Sequence, residues 1–259
     1  VSQPCAPSCD PDGVPNNGDE YECGGDGCGG SCGTCTTGLL CDDALWAHQL
    51  TFLDEVVDVR VADLTREDNL PDMARHVLAR APEKFALAGL SMGGYVAQEI
   101  MRQAPDRVTH LAFLDTNARA DLPEQSERRR ALMAQAQSGD FADVGAQMLP
   151  VLVHPDHVDG LRDVWMGMAE RTGVQGYVNQ QNAIMGRKDG RADLAAVNCP
   201  TLVLCGEDDQ LTPPEVHQEM VDAIGDNATL VQIPHCGHLS TLEQPDAVTQ
   251  ALRVWLQGT

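Results

Sequence analysis

Short apolar runs alternate with segments of helical periodicity along most of the chain. The apolar runs are long enough for buried strands and lie at residues 56–61, 85–88, 108–114, 201–206 and 228–233. Apolar positions at helical spacing mark residues 42–55, 69–80, 94–101, 214–224 and 241–256. Strands that alternate with helices predict an α/β fold, in which a mostly parallel sheet is covered by helices on both faces.

The strand pattern stops between residues 117 and 198. Helical spacing there predicts four helices, near residues 123–137, 141–149, 156–171 and 172–185. An insertion of this length after a strand predicts a helical cap above the carboxyl ends of the strands.

The predicted cap carries several large apolar side chains and one run of basic residues. Trp165, Met168 and Tyr177 are candidates for an apolar substrate pocket, although such residues at helical spacing also suit a plain core. The run 128–130 is three arginines, which we interpret as a solvated helix face balanced by Glu124 and Glu127. Contact with an anionic acyl group is the alternative.

The sequence Gly89-Leu90-Ser91-Met92-Gly93 stands between a predicted strand and a predicted helix. A tight strand-to-helix turn requires glycines on both sides of the central residue. Such a turn lifts the Ser91 hydroxyl out of the sheet and directs the Met92 amide to the same point. The pattern therefore predicts a nucleophilic serine with one hydrogen-bond donor beside it.

Two polar segments, residues 207–214 and 234–238, directly follow predicted strands. In a parallel sheet both lie at the same edge as Ser91. The first offers Asp208 or Asp209 and the second offers His235 or His238. The chain order Ser, Asp, His is that of α/β-hydrolases.

Residues 38–259 resemble small cap-bearing α/β-hydrolases of the carboxylesterase, enol-lactonase and C–C hydrolase group. The resemblance rests on Gly38-Leu39-Leu40-Cys41-Asp42, the Ser91 turn, and residues 114–119, 206–213 and 237–238. It implies that Ser91 is the nucleophile, His238 the general base and acid, and Asp209 the residue that orients the imidazole. It also implies an oxyanion hole formed by the amides of Leu39 and Met92, with no cofactor and no metal.

The alternatives to these assignments are nearby residues of the same chemistry. Asp208 competes with Asp209, which stands three residues after Gly206 as the family spacing requires. Asp115 ends another predicted strand and is a further alternative acid. His235 competes with His238, and the two resemble a zinc pair, but no third ligand lies at a suitable spacing.

The predicted reaction is hydrolysis of a carboxylic ester, lactone or thioester through an acyl-enzyme on Ser91. A C–C bond hydrolase or a perhydrolase would use the same three residues. The third interpretation is a non-catalytic surface protein, in which the hydrolase fold is present but lacks a working oxyanion hole.

The composition changes near residue 37, so we predict a cysteine-rich segment at 1–37 and a hydrolase domain at 38–259. Six of the ten cysteines precede residue 37: Cys5, Cys9, Cys23, Cys28, Cys32 and Cys35. The segment resembles small disulfide modules of secreted bacterial surface proteins and predicts disulfides, with a zinc cluster as the rival. The end of this segment occupies the position at which the family has a strand before Leu39. Without that strand the Leu39 amide, the second oxyanion donor, would lack support. Residues 34–37 are the alternative, because their threonines suit a substitute strand.

Charge and hydropathy narrow the choice of partners. The chain has 17 basic and 39 acidic residues, a net charge of −22, which disfavours nucleic acid. The sequence has no run of 18 apolar residues, so it predicts no membrane span. We expect a small-molecule substrate. The N-terminal cysteines favour export, whereas Cys199, Cys205 and Cys236 are typical of a cytosolic core.

Overall fold

A single parallel sheet organises the protein, whose computed structural model describes residues 31–258. The strands in this range are β1 (Ser31–Thr36), β2 (Val57–Ala62), β3 (Phe85–Leu90), β4 (Val108–Leu114), β5 (Thr201–Gly206) and β6 (Ala228–Ile233). Their order is β2-β1-β3-β4-β5-β6, and every neighbouring pair is parallel. The predicted parallel sheet is confirmed, and the carboxyl ends of its strands share one edge.

Helices cover both faces of this sheet. They are α1 (Ala47–Phe52), α2 (Leu70–Leu78), α3 (Met92–Gln103), α4 (Pro123–Gln135), α5 (Phe141–Leu152), α6 (Val158–Met185), α7 (Pro214–Ile224), α8 (Ser240–Glu243) and α9 (Pro245–Gln257). Alternate strand residues enter two different apolar cores, as Leu87 and Ala88 of β3 do. Burial on both faces explains why β3 and β5 are continuous apolar runs without alternation.

The segment before Leu39 does supply a strand, which was one of the two alternatives left open by the sequence, and this strand begins earlier than predicted, at Ser31. Ser31–Thr36 is itself that strand, and it pairs with β2 on one side and β3 on the other. It lies on the N-terminal side of the boundary that we predicted at residue 37. Its Gly, Thr and Cys residues have too little hydropathy to give a clear strand pattern in the sequence. Small and β-branched side chains nevertheless suit a strand that is buried on both faces.

The structure tests the predicted disulfides only for cysteines within the described residues. Residues 1–30, with four of the six N-terminal cysteines, lie outside the described residues. Cys35 has a free thiol buried in the core, so the prediction of a disulfide is wrong for this residue. Cys41, Cys199, Cys205 and Cys236 are also free and buried.

Helices α4, α5 and α6 form the insertion between β4 and β5. Helix α6 is interrupted at Gly173, where φ is 68° and ψ is 169°. Its second half packs against α4 and α3, and α5 packs against α6. None of the helices within residues 31–258 is long and apolar enough to cross a membrane.

Candidate active site

Ser91 occupies a strained turn between β3 and α3. Its φ of 54° and ψ of −114° are unusual for a residue with a side chain. The Ser91 amide donates to the Leu114 carbonyl at 2.9 Å, and the Thr116 hydroxyl donates to the Ser91 carbonyl at 2.8 Å. A side chain at Gly93 would collide with the Thr36 carbonyl, which explains the glycine on that side of the serine. The turn is therefore held by β1 and β4.

The three residues that the sequence places in a triad are hydrogen-bonded in series. The Nε2 atom of His238 lies 2.8 Å from the Ser91 hydroxyl oxygen, and its Nδ1 atom lies 2.8 Å from Oδ2 of Asp209. In a neutral imidazole with the proton on Nδ1, His238 donates to Asp209 and accepts from Ser91. The arrangement allows His238 to take the serine proton while Asp209 fixes the ring.

Asp209 is held as an ionised acceptor. Its Oδ1 atom accepts from the amides of Leu211 at 2.8 Å and Thr212 at 3.0 Å, and its Oδ2 atom accepts from the Thr212 hydroxyl at 2.6 Å. Burial acts to raise the pKa of Asp209, but His238 and these donors outweigh it and hold the pKa below its usual value. Burial acts to lower the pKa of His238, whereas Asp209 outweighs burial and raises it.

A buried glutamate that sequence reasoning missed fixes the loop around His238. Oε2 of Glu243 accepts from the amides of His154 at 2.7 Å and Gly237 at 3.0 Å, and lies 3.0 Å from Nδ1 of His157. Oε1 of Glu243 accepts from the Leu239 amide at 3.1 Å. The only signal in the sequence is an acidic residue five positions after His238.

The rival residues lie elsewhere. The Asp115 carboxylate accepts from the amides of Gly206 and Ser240 and makes no hydrogen bond with His238. Burial and the charge of Asp209 raise the pKa of Asp115 to about 8. The Asp208 side chain is half exposed and lies 3.9 Å from His154. His235 is exposed and stacks edge-on against His154.

The amides of Leu39 and Met92 are available on the described part of the chain. Met92 begins α3, so its amide has no acceptor in its own helix. Leu39 lies in a turn closed by the Cys41 amide and the Gly38 carbonyl, 3.3 Å apart. The next amide, that of Leu40, donates to Oε1 of Gln180 at 2.9 Å, so helix α6 holds this turn from outside the sheet.

A cavity of about 300 Å³ opens beside Ser91 and His238. Leu39 and Leu239 line it on the sheet side. The insertion supplies apolar side chains from three helices, among them Leu132, Met148 and Ile184. This volume is at the lower end of the range for small-molecule sites.

The predicted pocket residues do not line this cavity. Trp165, Met168 and Tyr177 are fully buried. The Trp165 indole donates to the Gly145 carbonyl at 2.7 Å, and the Tyr177 hydroxyl accepts from Gln181 at 2.8 Å. These side chains pack the insertion together. Arg128 is exposed, as interpreted from the sequence, and it also lines the cavity.

The described residues contain no group of three His, Cys, Asp or Glu side chains that could hold a metal ion. His235 and His238 therefore lack the further ligands that zinc requires. The chemistry available at the site is that of the serine, the imidazole, the carboxylate and the backbone amides.

Known proteins of related sequence and structure include esterases and an enol-lactonase. The chain is 27% identical over 187 residues to the pimeloyl-[acyl-carrier protein] methyl ester esterase of Nitrosomonas europaea, covering 69% of this chain and 74% of that protein. A thermophilic esterase from Thermogutta terrifontis, solved with malate bound, is 30% identical with a TM-score of 0.77, covering 88% and 91% of the two chains. The enol-lactonase from Burkholderia xenovorans shares the fold, with a TM-score of 0.77 and 22% identity over 88% and 93% of the chains. Residues 27–251 match the model of the alpha/beta hydrolase family, and the chain belongs to that family.

Proposed function

We propose that this hydrolase cleaves a carboxylic ester, or a related lactone or thioester, through an acyl-enzyme on Ser91. The single observation that carries the proposal is the hydrogen-bonded series Ser91–His238–Asp209, with both contacts at 2.8 Å. A weakly nucleophilic hydroxyl becomes reactive when a positioned base removes its proton during attack.

In this mechanism His238 accepts the Ser91 proton as the hydroxyl oxygen attacks the ester carbonyl. Asp209 stabilises the imidazolium that forms. The amides of Met92 and Leu39 stabilise the oxyanion, and each donor contributes about a hundredfold to a thousandfold in turnover. His238 then gives its proton to the leaving alcohol, and water activated by the same imidazole releases the acid. Helices α4 to α6 act as a cap that shields the cavity from bulk water.

Two relatives support esters as the substrate class. One is named as a methyl ester esterase and the other as an esterase. Strand β1 removes the main objection from the sequence, since the Leu39 turn does follow a strand of the sheet.

The test is hydrolysis of short alkyl esters followed by titration of the released acid. We expect turnover by the wild-type chain and a loss of at least a thousandfold in Ser91→Ala. Asp208→Asn, which changes a half-exposed neighbour of Asp209, serves as the matched control and should retain wild-type turnover. Equal turnover in Ser91→Ala would refute the proposal.

A further inference from the structure

The charge of the cavity wall is opposite to that of the whole chain. Three of the 17 basic residues, Arg128, Arg129 and Arg187, line the cavity beside Ser91. Among residues 31–258, no aspartate or glutamate lines it. A chain with a net charge of −22 thus places a concentrated positive charge at the site where its substrate binds.

A buried ion-pair network fixes two of these arginines. Arg187 donates to Oδ1 of Asp121 at 2.8 Å, and Arg129 donates to Oδ2 of the same carboxylate at 3.2 Å. Burial acts to raise the pKa of Asp121, but Arg129, Ser126 and Arg187 together hold it below its usual value. Arg129 and Arg187 thus share one carboxylate, and Arg128 adds a third guanidinium group to the cavity wall.

Arg128 is the member of the set without a partner. Within residues 31–258 no carboxylate forms an ion pair or hydrogen bond with it, including Glu124 and Glu127 on the same helix. Arg129, one position further on, also donates to Gln181 at 2.9 Å. The Asp121 network therefore holds Arg129 while Arg128 keeps all its donors available to a ligand.

Apolar side chains share the cavity with Ser91 and the arginines. Leu132, Met148, Val151 and Ile184 all line it. A ligand that satisfies the whole wall has a carbonyl at Ser91, a short apolar chain and an anionic end. A carboxylate matches the planar, forked donors of a guanidinium better than a neutral group does.

We infer that the substrate is an ester that carries a second, ionised carboxylate, which Arg128 binds with support from Arg129. This inference rests on the proposed function and names the substrate class of the same site. Binding of the distal carboxylate orients the ester against Ser91, so charge discriminates between substrates of equal length.

The experiment compares two pairs of esters at pH 7.5. Monoethyl adipate and ethyl hexanoate differ by a carboxylate on the acid side, and 5-acetoxypentanoate and pentyl acetate differ by one on the alcohol side. We expect the wild-type kcat/KM to favour the charged member of at least one pair by about tenfold or more. In Arg128→Gln this ratio should fall towards one.

Arg130→Gln is the matched control, because Arg130 is an exposed arginine of the same helix that does not line the cavity. It makes the same change in net charge and should keep the wild-type ratio. No preference for either charged ester, or an equal loss in both variants, would overturn the inference while leaving Ser91-dependent hydrolysis intact.

A binding measurement separates this inference from the proposed function. Calorimetric titration of Ser91→Ala should show the charged ester of at least one pair binding at least about tenfold tighter than its neutral partner, and Arg128→Gln in the same background should abolish the difference. If no ester is hydrolysed, the proposed function fails and this titration decides the carboxylate site. Equal binding within both pairs would overturn the site.

Discussion

Ser91 sits where backbone strain, a base and a cavity meet. Its left-handed backbone is maintained by hydrogen bonds to two neighbouring segments of the sheet edge, at Leu114 and Thr116. Strain of this kind costs about 1–3 kcal/mol and persists only where the surroundings enforce it. The strain aims the hydroxyl at His238 before any substrate binds.

The pKa of His238 predicts the acid limb of the activity profile. His238 must be neutral to accept the Ser91 proton, and Asp209 raises its pKa above the ordinary value of 6.5. Activity should therefore be lost as the pH falls through a midpoint above 6.5. In Asp209→Asn burial acts without the opposing charge, so kcat should fall by about a thousandfold or more and the midpoint should move to lower pH.

The measurement is kcat/KM for a neutral ester between pH 5 and 9 on both proteins. Asp208→Asn is the control and should keep the wild-type midpoint. A midpoint that stays in place in Asp209→Asn would show that Asp209 does not set the charge of His238.

Gln180 is predicted to position the turn that carries Leu39. Its Oε1 accepts from the Leu40 amide, and Leu40 has a φ of 58° that must be enforced. In Gln180→Ala we expect kcat to fall about tenfold with little change in KM, because the oxyanion amide loses its alignment. Gln175→Ala removes an exposed glutamine from the same helix as a control. Equal kcat in the two variants would contradict this role.

At the scale of elements, helix α8 fixes His238 through one side chain. Glu243 accepts from three backbone amides and contacts the His157 imidazole, with its own side chain fully buried. The loops before α6 and before α8 are thereby joined. His238 depends on this join, since its amide also donates to the Leu152 carbonyl at 2.6 Å.

Glu243→Gln should lower both stability and turnover. The amide group would present a donor to groups that are themselves donors, which costs about 1–3 kcal/mol in the free energy of unfolding. Urea denaturation measures this loss, and ester hydrolysis measures the accompanying fall in kcat. Glu215→Gln replaces an exposed glutamate in α7 and should change stability by less than about 0.5 kcal/mol. Similar stability in both variants would argue against Glu243 as the organiser of the loop.

Sequence patterns predicted the elements that bury continuous apolar residues. Strands β3 and β5 are buried throughout, so each appears in the sequence as a continuous apolar run. Strand β1 was only one of two alternatives because Gly33, Thr34 and Cys35 carry little hydropathy, although the sheet buries them. The predicted helix at 241–256 is two helices, since Pro245 begins α9 and ends the continuity with α8.

The cavity wall was harder to predict than the triad. Ser91 directly follows β3, and Asp209 and His238 lie in the loops that follow β5 and β6, so sheet topology brings all three to one edge. The faces that α4 and α6 turn towards the cavity depend on how these helices pack. Helical spacing does not contain that information. For this reason the buried Trp165 was a candidate for the pocket, and a ligand contact of the exposed Arg128 was only the alternative.

At the scale of the whole molecule, charge is segregated between the surface and the site. Acidic residues outnumber basic ones by more than two to one in the chain. In the part of the chain that the structure describes, however, arginines line the cavity and no aspartate, glutamate or lysine does. The bulk of the protein repels anions at long range. If the proposed anionic substrate is correct, short-range contacts within the cavity hold it, and its binding should weaken with added salt because Arg128 is exposed.

Reaction of Ser91 with a fluorophosphonate tests the central claim most directly. Intact mass spectrometry of the wild-type chain should show the addition of one phosphonyl group, peptide mapping should locate it on Ser91, and ester hydrolysis should stop in proportion. Ser91→Ala should remain unlabelled. A folded wild-type protein that hydrolyses esters without taking up the label at Ser91 would contradict the account.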